Sequence, residues 1–325
     1  MIKKLFHDIL LLSLFFMWGC SGNASRNDTG ESELRISAGL SNAYGVTKSI
    51  ITSEGFDNGS DIGIYVSGEG YTAEAVSYNK NGDQWESDDP VLLTKSVATI
   101  YGYYPSNIVV TQENMAACEI PVSVGNNEKG QYMVGGFDGS MQSDYMYALC
   151  SDDPAGGQSP ARASKTAPKV NLIFYHGLSC ISLIINKGES YGSAGKLTSL
   201  ALTASLDSIA GEGTMSLENG EISLGSNSSG TIRMTGEVNM NSYSDPSSDE
   251  ITARVMVVPL EQSQDVKMIL KIDGVEYSGT INSAIWQAGK NYEYKITVGG
   301  ESMEIDSSVK IKGWQSGDPS EVNVE

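Results

Sequence analysis

The stretch Lys267-Met268-Ile269-Leu270-Lys271-Ile272-Asp273-Gly274-Val275-Glu276-Tyr277-Ser278-Gly279-Thr280-Ile281 decides the fold. Met268, Leu270 and Ile272 project to one side of an extended chain. Asp273-Gly274 supplies a two-residue turn, and Val275, Tyr277 and Ile281 return on the same side. A turn of this length fixes the register of the hairpin. Further along, Tyr292, Tyr294, Ile296 and Val298 alternate with Asn291, Glu293, Lys295 and Thr297, the period of a half-buried strand.

Working outward, the same period of two recurs at Leu34 to Leu40, Ile62 to Val66, Thr99 to Tyr104, Val170 to Phe174, Leu178 to Asn186, Leu197 to Ala204, Thr231 to Thr235 and Thr252 to Pro259. The chain holds 36 glycines, five of them in Asn-Gly or Asp-Gly pairs, and no amphipathic run long enough for a substantial helix outside its N-terminus. Short strands and frequent turns without a blade-length repeat predict an all-β protein built from tandem antiparallel β-sandwiches. With 325 residues, two such domains are expected. Residues 152–168, rich in proline, glycine, serine and alanine, read as the linker, a long surface loop within one large domain being the alternative. The first sandwich would then span 49–151 and the second 169–325.

At the N-terminus, Lys3 and Lys4 precede an apolar run that ends at Gly19-Cys20. This is the outline of a lipoprotein signal over 1–19, with the Cys20 thiol as acylation point. An ordinary signal peptide is the alternative, and the run of about ten residues is short for a membrane span, which takes about 20. Lys plus Arg total 21 against 40 acids, a net charge of −19, which argues against nucleic acid as a partner. No basic stretch follows Cys20, so attachment to a membrane would rest on acyl chains. Cys118, Cys150 and Cys180 allow at most one bridge; Cys118 with Cys150 is the preferred pair, and three small buried apolar residues are the alternative.

Few residues suit catalysis. Beyond the signal segment His176 is the one histidine, which excludes multi-histidine metal sites, and its strand-like setting favours a hydrogen-bonded structural role. Gly188-Glu189-Ser190-Tyr191-Gly192 carries the letters of a nucleophile elbow, but no helix pattern follows and the histidine precedes the serine, so a turn is expected. Asp57 to Asp61 and Asn79 to Asp83 are rich in oxygen ligands yet lack the glycine spacing of an EF-hand, so they too read as turns. Tyr101, Tyr103 and Tyr104 read as a strand end with one tyrosine face packed inward rather than as a sugar-stacking platform. Neither a catalytic residue, a metal nor a cofactor is assigned, and the chain is read as non-enzymatic.

Seven segments, in order, resemble the fimbrillin family of Bacteroidales, subunits of type V pili, including its Mfa-like branch. They are Phe56-Asp57-Asn58-Gly59-Ser60-Asp61-Ile62-Gly63-Ile64-Tyr65-Val66; Trp85 with Pro90-Val91-Leu92-Leu93; Tyr101-Gly102-Tyr103-Tyr104-Pro105; Gln142-Ser143-Asp144-Tyr145-Met146-Tyr147-Ala148; Phe174-Tyr175-His176-Gly177-Leu178-Ser179; Trp286-Gln287-Ala288-Gly289-Lys290-Asn291-Tyr292-Glu293-Tyr294; and Ile311-Lys312-Gly313-Trp314-Gln315-Ser316-Gly317.

The resemblance implies two transthyretin-like sandwiches, lipoprotein export to the outer membrane, and a structural and adhesive role in a fimbria. It also implies assembly by donor-strand exchange after a trypsin-like protease removes the N-terminal segment, residues 20–48. Where the family often has arginine, this chain has Thr47-Lys48, so the expected cut lies between Lys48 and Ser49, with Arg35 the alternative. Leu34, Ile36, Ala38 and Leu40 would be the core-facing residues of the removable strand, and the alternating Glu321-Val322-Asn323-Val324-Glu325, with Val322 and Val324 on one face, reads equally as a candidate donor or an ordinary frayed terminus. The implied partners are other pilin subunits, the maturing protease, and a host or bacterial surface receptor. A tip or accessory adhesin, or a surface glycan-binding lipoprotein that does not polymerise, is the alternative function.

Overall fold

A computed structural model describes residues 32–41, 56–71, 74–128, 131–139, 141–150, 159–242 and 250–314. Strands dominate them, and the helix Gln112–Ala117 is a single short element, begun by a Thr111 capping box and ended by Cys118 in the left-handed conformation. The deciding hairpin forms as expected. Strands Gln264–Ile272 and Val275–Ala284 pair antiparallel, and Asp273 and Gly274 both take positive φ, the geometry that a two-residue turn between twisted strands demands. Met268, Leu270, Ile272, Tyr277 and Ile281 are buried together, but Val275 is 53% exposed. The facing layer covers Ile272 and leaves its cross-strand neighbour, on the sheet's edge, in solvent.

That hairpin borders a six-stranded sheet ordered Val275–Ala284, Gln264–Ile272, Lys196–Ala204, Thr231–Asn239, Gln131–Gly135 and Asn126–Glu128. It packs on a four-stranded sheet ordered Ala253–Val257, Ser179–Lys187, Lys290–Val298 and Met303–Gly313. Leu200, Leu202, Met268 and Leu270 from one layer meet Ile181, Leu183, Ile185 and Ile296 from the other, the arrangement of a β-sandwich. Trp286 lies wholly inside, its indole N–H donating to the Tyr294 hydroxyl at 2.9 Å. Pairing is mostly antiparallel, yet Ser179–Lys187 runs parallel to Lys290–Val298, and Gln131–Gly135 parallel to Thr231–Asn239.

The other large sheet is eight-stranded. Its main path runs Arg35–Leu40, Lys169–His176, Met146–Cys150, Ala98–Tyr104, Asp61–Ser67, Ala75–Asn81 and Gln84–Glu86, with Ala161–Ala163 paired to Ala98–Tyr104. The sheet rolls up, so that its two end strands, Arg35–Leu40 and Gln84–Glu86, lie against each other. Inside the roll pack Ile62, Ile64, Ile100, Ala148, Leu172 and Phe174. On its other face, Tyr65, Tyr101 and Tyr103 pack with Ile120, Val122 and Met215, which belong to a three-stranded sheet of Glu119–Val124, Gly211–Ser216 and Ile222–Leu224. The inward tyrosine face expected at Tyr101 and Tyr103 is therefore present, and Tyr104 is half-buried.

Two expectations need correction. The segment 152–168, read as a linker, contributes Ala161–Ala163 to the first sheet, and the strand after it, Lys169–His176, pairs with Met146–Cys150 in that same sheet. Sheets change at the His176–Ser179 turn instead. Small residues read as linker composition are there because Ala161 and Ala163 are buried against the core. Nor is 49–151 self-contained, since Glu119–Val124 and Gln131–Gly135 pair with strands of the second half. The second correction concerns the preferred disulfide: Cys118, Cys150 and Cys180 are all free thiols. Cys150 packs against the rolled core and Cys118 against the tyrosine cluster on the sheet's other face. Cys180 is buried, and that burial pushes its thiol up to about 12.

Candidate functional site

The N-terminal strand lies where the rolled sheet closes. Leu34, Ile36 and Ala38 are buried in its core beside Val170, Leu172 and Phe174, and Leu40 is half-buried at the same cluster. Arg35, on the opposite side, faces solvent. Alternation of small and branched apolar side chains with polar ones therefore seats one face of this segment in the roll, as its sequence predicts. What the sequence could not give is the direction of pairing. Arg35–Leu40 runs parallel to Lys169–Phe174, residue for residue from Lys169 opposite Arg35 to Phe174 opposite Leu40.

The ladder is tied at both ends by further backbone bonds. Arg35 N–H donates to the Pro168 carbonyl and Ser41 N–H to the Phe174 carbonyl, both at 2.8 Å. Upstream, Ser32–Glu33 pairs antiparallel with Leu92–Leu93, and Leu34 N–H donates to the Val91 carbonyl at 2.8 Å. Without this strand, the edge of Lys169–Phe174 would present unpaired N–H and C=O groups beside the space vacated by Leu34 and Ile36. Each such buried group left unmatched costs about 1–3 kcal/mol, and burying a leucine or isoleucine side chain contributes about 1.5–3 kcal/mol. The slot is thus strongly biased towards being filled by some extended segment.

Other singled-out residues fall into structural roles. His176 is buried, its Nδ1 2.8 Å from Asp144 Oδ2 and its ring stacked on Trp314 at 4.3 Å and 8°. Ser190 lies in a turn in which Tyr191 N–H donates to the Gly188 carbonyl, and its Oγ accepts from Gly300 N–H at 3.2 Å. The Asp57 to Asp61 loop is a turn closed by Ser60 N–H to the Asp57 carbonyl, and Asn58 Oδ1 accepts from Gly82 N–H, joining it to the Asn79 to Asp83 turn. Among the described residues no group of three or more His, Cys, Asp or Glu could hold a metal ion. The proposed lipidation site Cys20, the cut at Lys48 and Ser49, and the donor residues Val322 and Val324 lie outside the described residues.

Two features had no sequence signal of their own. Asp144 as the partner of His176 is one. The other is Gln142, whose side-chain amide imitates a strand: Nε2 donates to the Met256 carbonyl and Oε1 accepts Met256 N–H, both at 2.7 Å. With Arg254 N–H donating to the Phe137 carbonyl, it covers the outer edge of Ala253–Val257 and so blunts an exposed sheet edge. An amide is the side chain able to do both, but only the fold brings residue 142 to residue 256.

Known proteins share this architecture. A proposed cell adhesion protein from Bacteroides ovatus superposes with a TM-score of 0.59 at 15% identity, over 89% of this chain and 99% of that one. A second, from Bacteroides uniformis, gives a TM-score of 0.57 at 17% identity, over 88% of this chain and all of that one. At such identities the likeness speaks for the fold. No curated protein matches the chain. A family model described as fimbrillin-like matches residues 47–314, from just after the N-terminal strand to the last described residue. By that match, across most of its length, the chain belongs to the fimbrillin-like family.

Proposed function

We propose that this chain is a structural subunit of a type V fimbria that mediates adhesion, exported as a lipoprotein precursor acylated at Cys20 and carried to the outer-membrane surface. A trypsin-like protease cuts between Lys48 and Ser49, the N-terminal strand leaves, and an extended segment of a sister subunit, with Val322 and Val324 as candidate pocket residues, takes its place. One observation carries this reading: Leu34, Ile36 and Ala38 fill the core from an edge strand that lies outside the family match at 47–314. A strand that completes the core from outside the family's common region is suited to removal. Main-chain pairing then supplies affinity and the vacated pockets supply selectivity. Head-to-tail contacts of this kind do not close and so build filaments.

Arg35 is the poorer cutting site. Its amide is hydrogen-bonded and its residue is in register within the ladder, whereas a protease needs the chain free and extended. N-terminal sequencing of the surface form, beside a Lys48→Ala variant, tests the proposal. The expected result is a start at Ser49 with heat-stable ladders on gels, both lost in the variant. A surface form that keeps residues 32–40 and stays monomeric at high concentration would overturn it.

A further inference from the structure

Charge is unevenly spread along this chain. It carries 40 acids, yet none occurs in 34–53, 90–112 or 154–188. The fold brings the described parts of these stretches together where the N-terminal strand enters the roll. Lys165 N–H donates to the Thr94 carbonyl at 2.6 Å, Ala163 lies opposite Ala98, and Arg35 N–H donates to the Pro168 carbonyl at 2.8 Å. Arg35, Lys95 and Lys169 are exposed there and Lys165 is half-buried. The slot therefore opens through a basic mouth on a chain of net charge −19.

Within that mouth the resident strand is mismatched. Arg35 and Lys169 stand opposite each other in the parallel ladder, so both side chains project from the same outer face. Among the described residues neither has an ion-pair partner. Like charges directly opposite destabilise a strand pair. The apolar face of Leu34, Ile36 and Ala38 holds the strand in spite of this.

The sequence holds a second segment with the same pattern and without the mismatch. The resident strand begins Ser32-Glu33-Leu34-Arg35-Ile36, and Ser320-Glu321-Val322-Asn323-Val324 repeats its order, with neutral Asn323 where Arg35 stands. Residues 320–325 lie outside the described residues, and the match is one of sequence. Laid on the resident strand, Val322 takes the place of Leu34 and Val324 that of Ile36, each smaller by a methylene. Glu321, Asn323 and Glu325 then replace Glu33, Arg35 and Ser37 on the outer face, which sets two carboxylates and no cation around Lys169. The chain's own copy of this segment is too short to serve. Trp314 stacks on His176, at the far end of the slot strand and about 23 Å from Lys169. Residues 315–322 reach at most about 29 Å fully extended, with none to spare for the reversal that parallel entry at the mouth requires.

We propose that the basic mouth selects the slot's occupant by charge: it disfavours the resident strand at Arg35 and takes segment 320–325 of a second copy, running parallel to Lys169–Phe174 with Val322 at the Leu34 position, Asn323 over Lys169 and Val324 at the Ile36 position. This rests on the assembly reading above and adds to it the chemistry, direction and register of the incoming strand. Replacement relieves one like-charge contact and gains two opposite ones, against the loss of a methylene in each of two pockets. The apolar pockets ensure that some segment is held, and charge decides which.

Hydrogen exchange of residues 35–41 in the uncut full chain at low salt tests the mismatch apart from assembly. The parent is compared with Arg35→Glu, Lys169→Glu and the doubly substituted chain. Either single reversal should slow exchange about two- to fivefold, and the double reversal, which restores like charges, should return it to the parent's rate. Raising the salt should erase the difference. Unchanged rates in both single variants, or a double variant slower than either, overturns the mismatch.

The occupant is tested in the chain cut between Lys48 and Ser49, with a labelled peptide of residues 315–325 as the probe. The peptide should displace the resident segment. Its Asn323→Arg version should do so about two- to fivefold more weakly, Lys169→Glu in the chain should restore that loss, and a Val324→Asp peptide should not bind. Equal binding of the parent and Asn323→Arg peptides overturns the register, and a parent peptide that displaces nothing overturns the occupant. Gel ladders from the same cut chain separate that failure from failure of the assembly reading. Ladders without peptide binding leave assembly standing with another segment in the slot, and the absence of both removes the assembly reading as well.

Discussion

Asp273 shows how much one turn residue can carry. Its Oδ2 accepts from Tyr191 O–H at 2.8 Å and Gly195 N–H at 2.7 Å, its Oδ1 accepts from Lys196 N–H at 2.9 Å, and its own N–H donates to the Lys196 carbonyl. The Lys196 and Gly195 amides, with the Tyr191 hydroxyl, hold its carboxyl below the usual aspartate range. The sign follows directly. A carboxyl whose pKa is depressed on folding contributes stability that is complete above the unfolded value of about 3.9 and fades as the pH falls through the folded value. Asp273→Asn should therefore be less stable than the parent at neutral pH, and the gap should close as the pH falls from about 4, read as urea midpoints across a pH series. A constant gap down to pH 2 would mean that the carboxylate's charge is immaterial. The sequence marked Asp273 only as a turn former; the three donors come from a loop almost eighty residues earlier in the chain and leave no local trace.

At the level of elements, alternation made most of the strands legible, including the N-terminal one with its core-facing Leu34, Ile36 and Ala38. Partners were not legible. Local pattern says which face is apolar, but whether a strand pairs parallel or antiparallel, and with which neighbour, is set by the packing of the whole layer. The 152–168 segment was misread because the residues that make a chain flexible also fit where backbones approach closely, as Ala161 and Ala163 do. The pairing of the cysteines stayed open in the sequence for a related reason: spacing is silent on which face of a sheet a side chain takes. The N-terminal strand yields a graded expectation. Ile36→Ala should cost the uncut protein about 2–5 kcal/mol, since it empties a core site, while Arg35→Ala on the outer face should fall within about 0.5 kcal/mol of zero. Equal effects of the two substitutions in urea unfolding would show that the strand is not seated as described.

Across the whole molecule the two halves are laced together rather than strung on a tether. The first half supplies Glu119–Val124 to a sheet shared with Gly211–Ser216, Gln131–Gly135 to the six-stranded sheet, and Gln142 to the rim of the four-stranded one. Tyr65, Tyr101 and Tyr103 bury against Met215, Leu217 and Met256 across the join, and that desolvation pushes the Tyr103 phenol up to about 12. Two domains joined by a flexible linker would unfold in two steps, each with its own midpoint. Shared sheets argue otherwise, because either half unfolding alone would strip the other of paired edges and of a common core, at about 1–3 kcal/mol for each buried backbone group left unmatched. Trp85 reports on the rolled core and Trp286 on the sandwich. Urea unfolding of Trp85→Phe and Trp286→Phe, each followed by fluorescence and by far-ultraviolet circular dichroism, should give one transition per variant with the two probes coincident. A plateau between two transitions, with one tryptophan exposed before the other, would show that the lacing strands detach cheaply and that each half is stable alone.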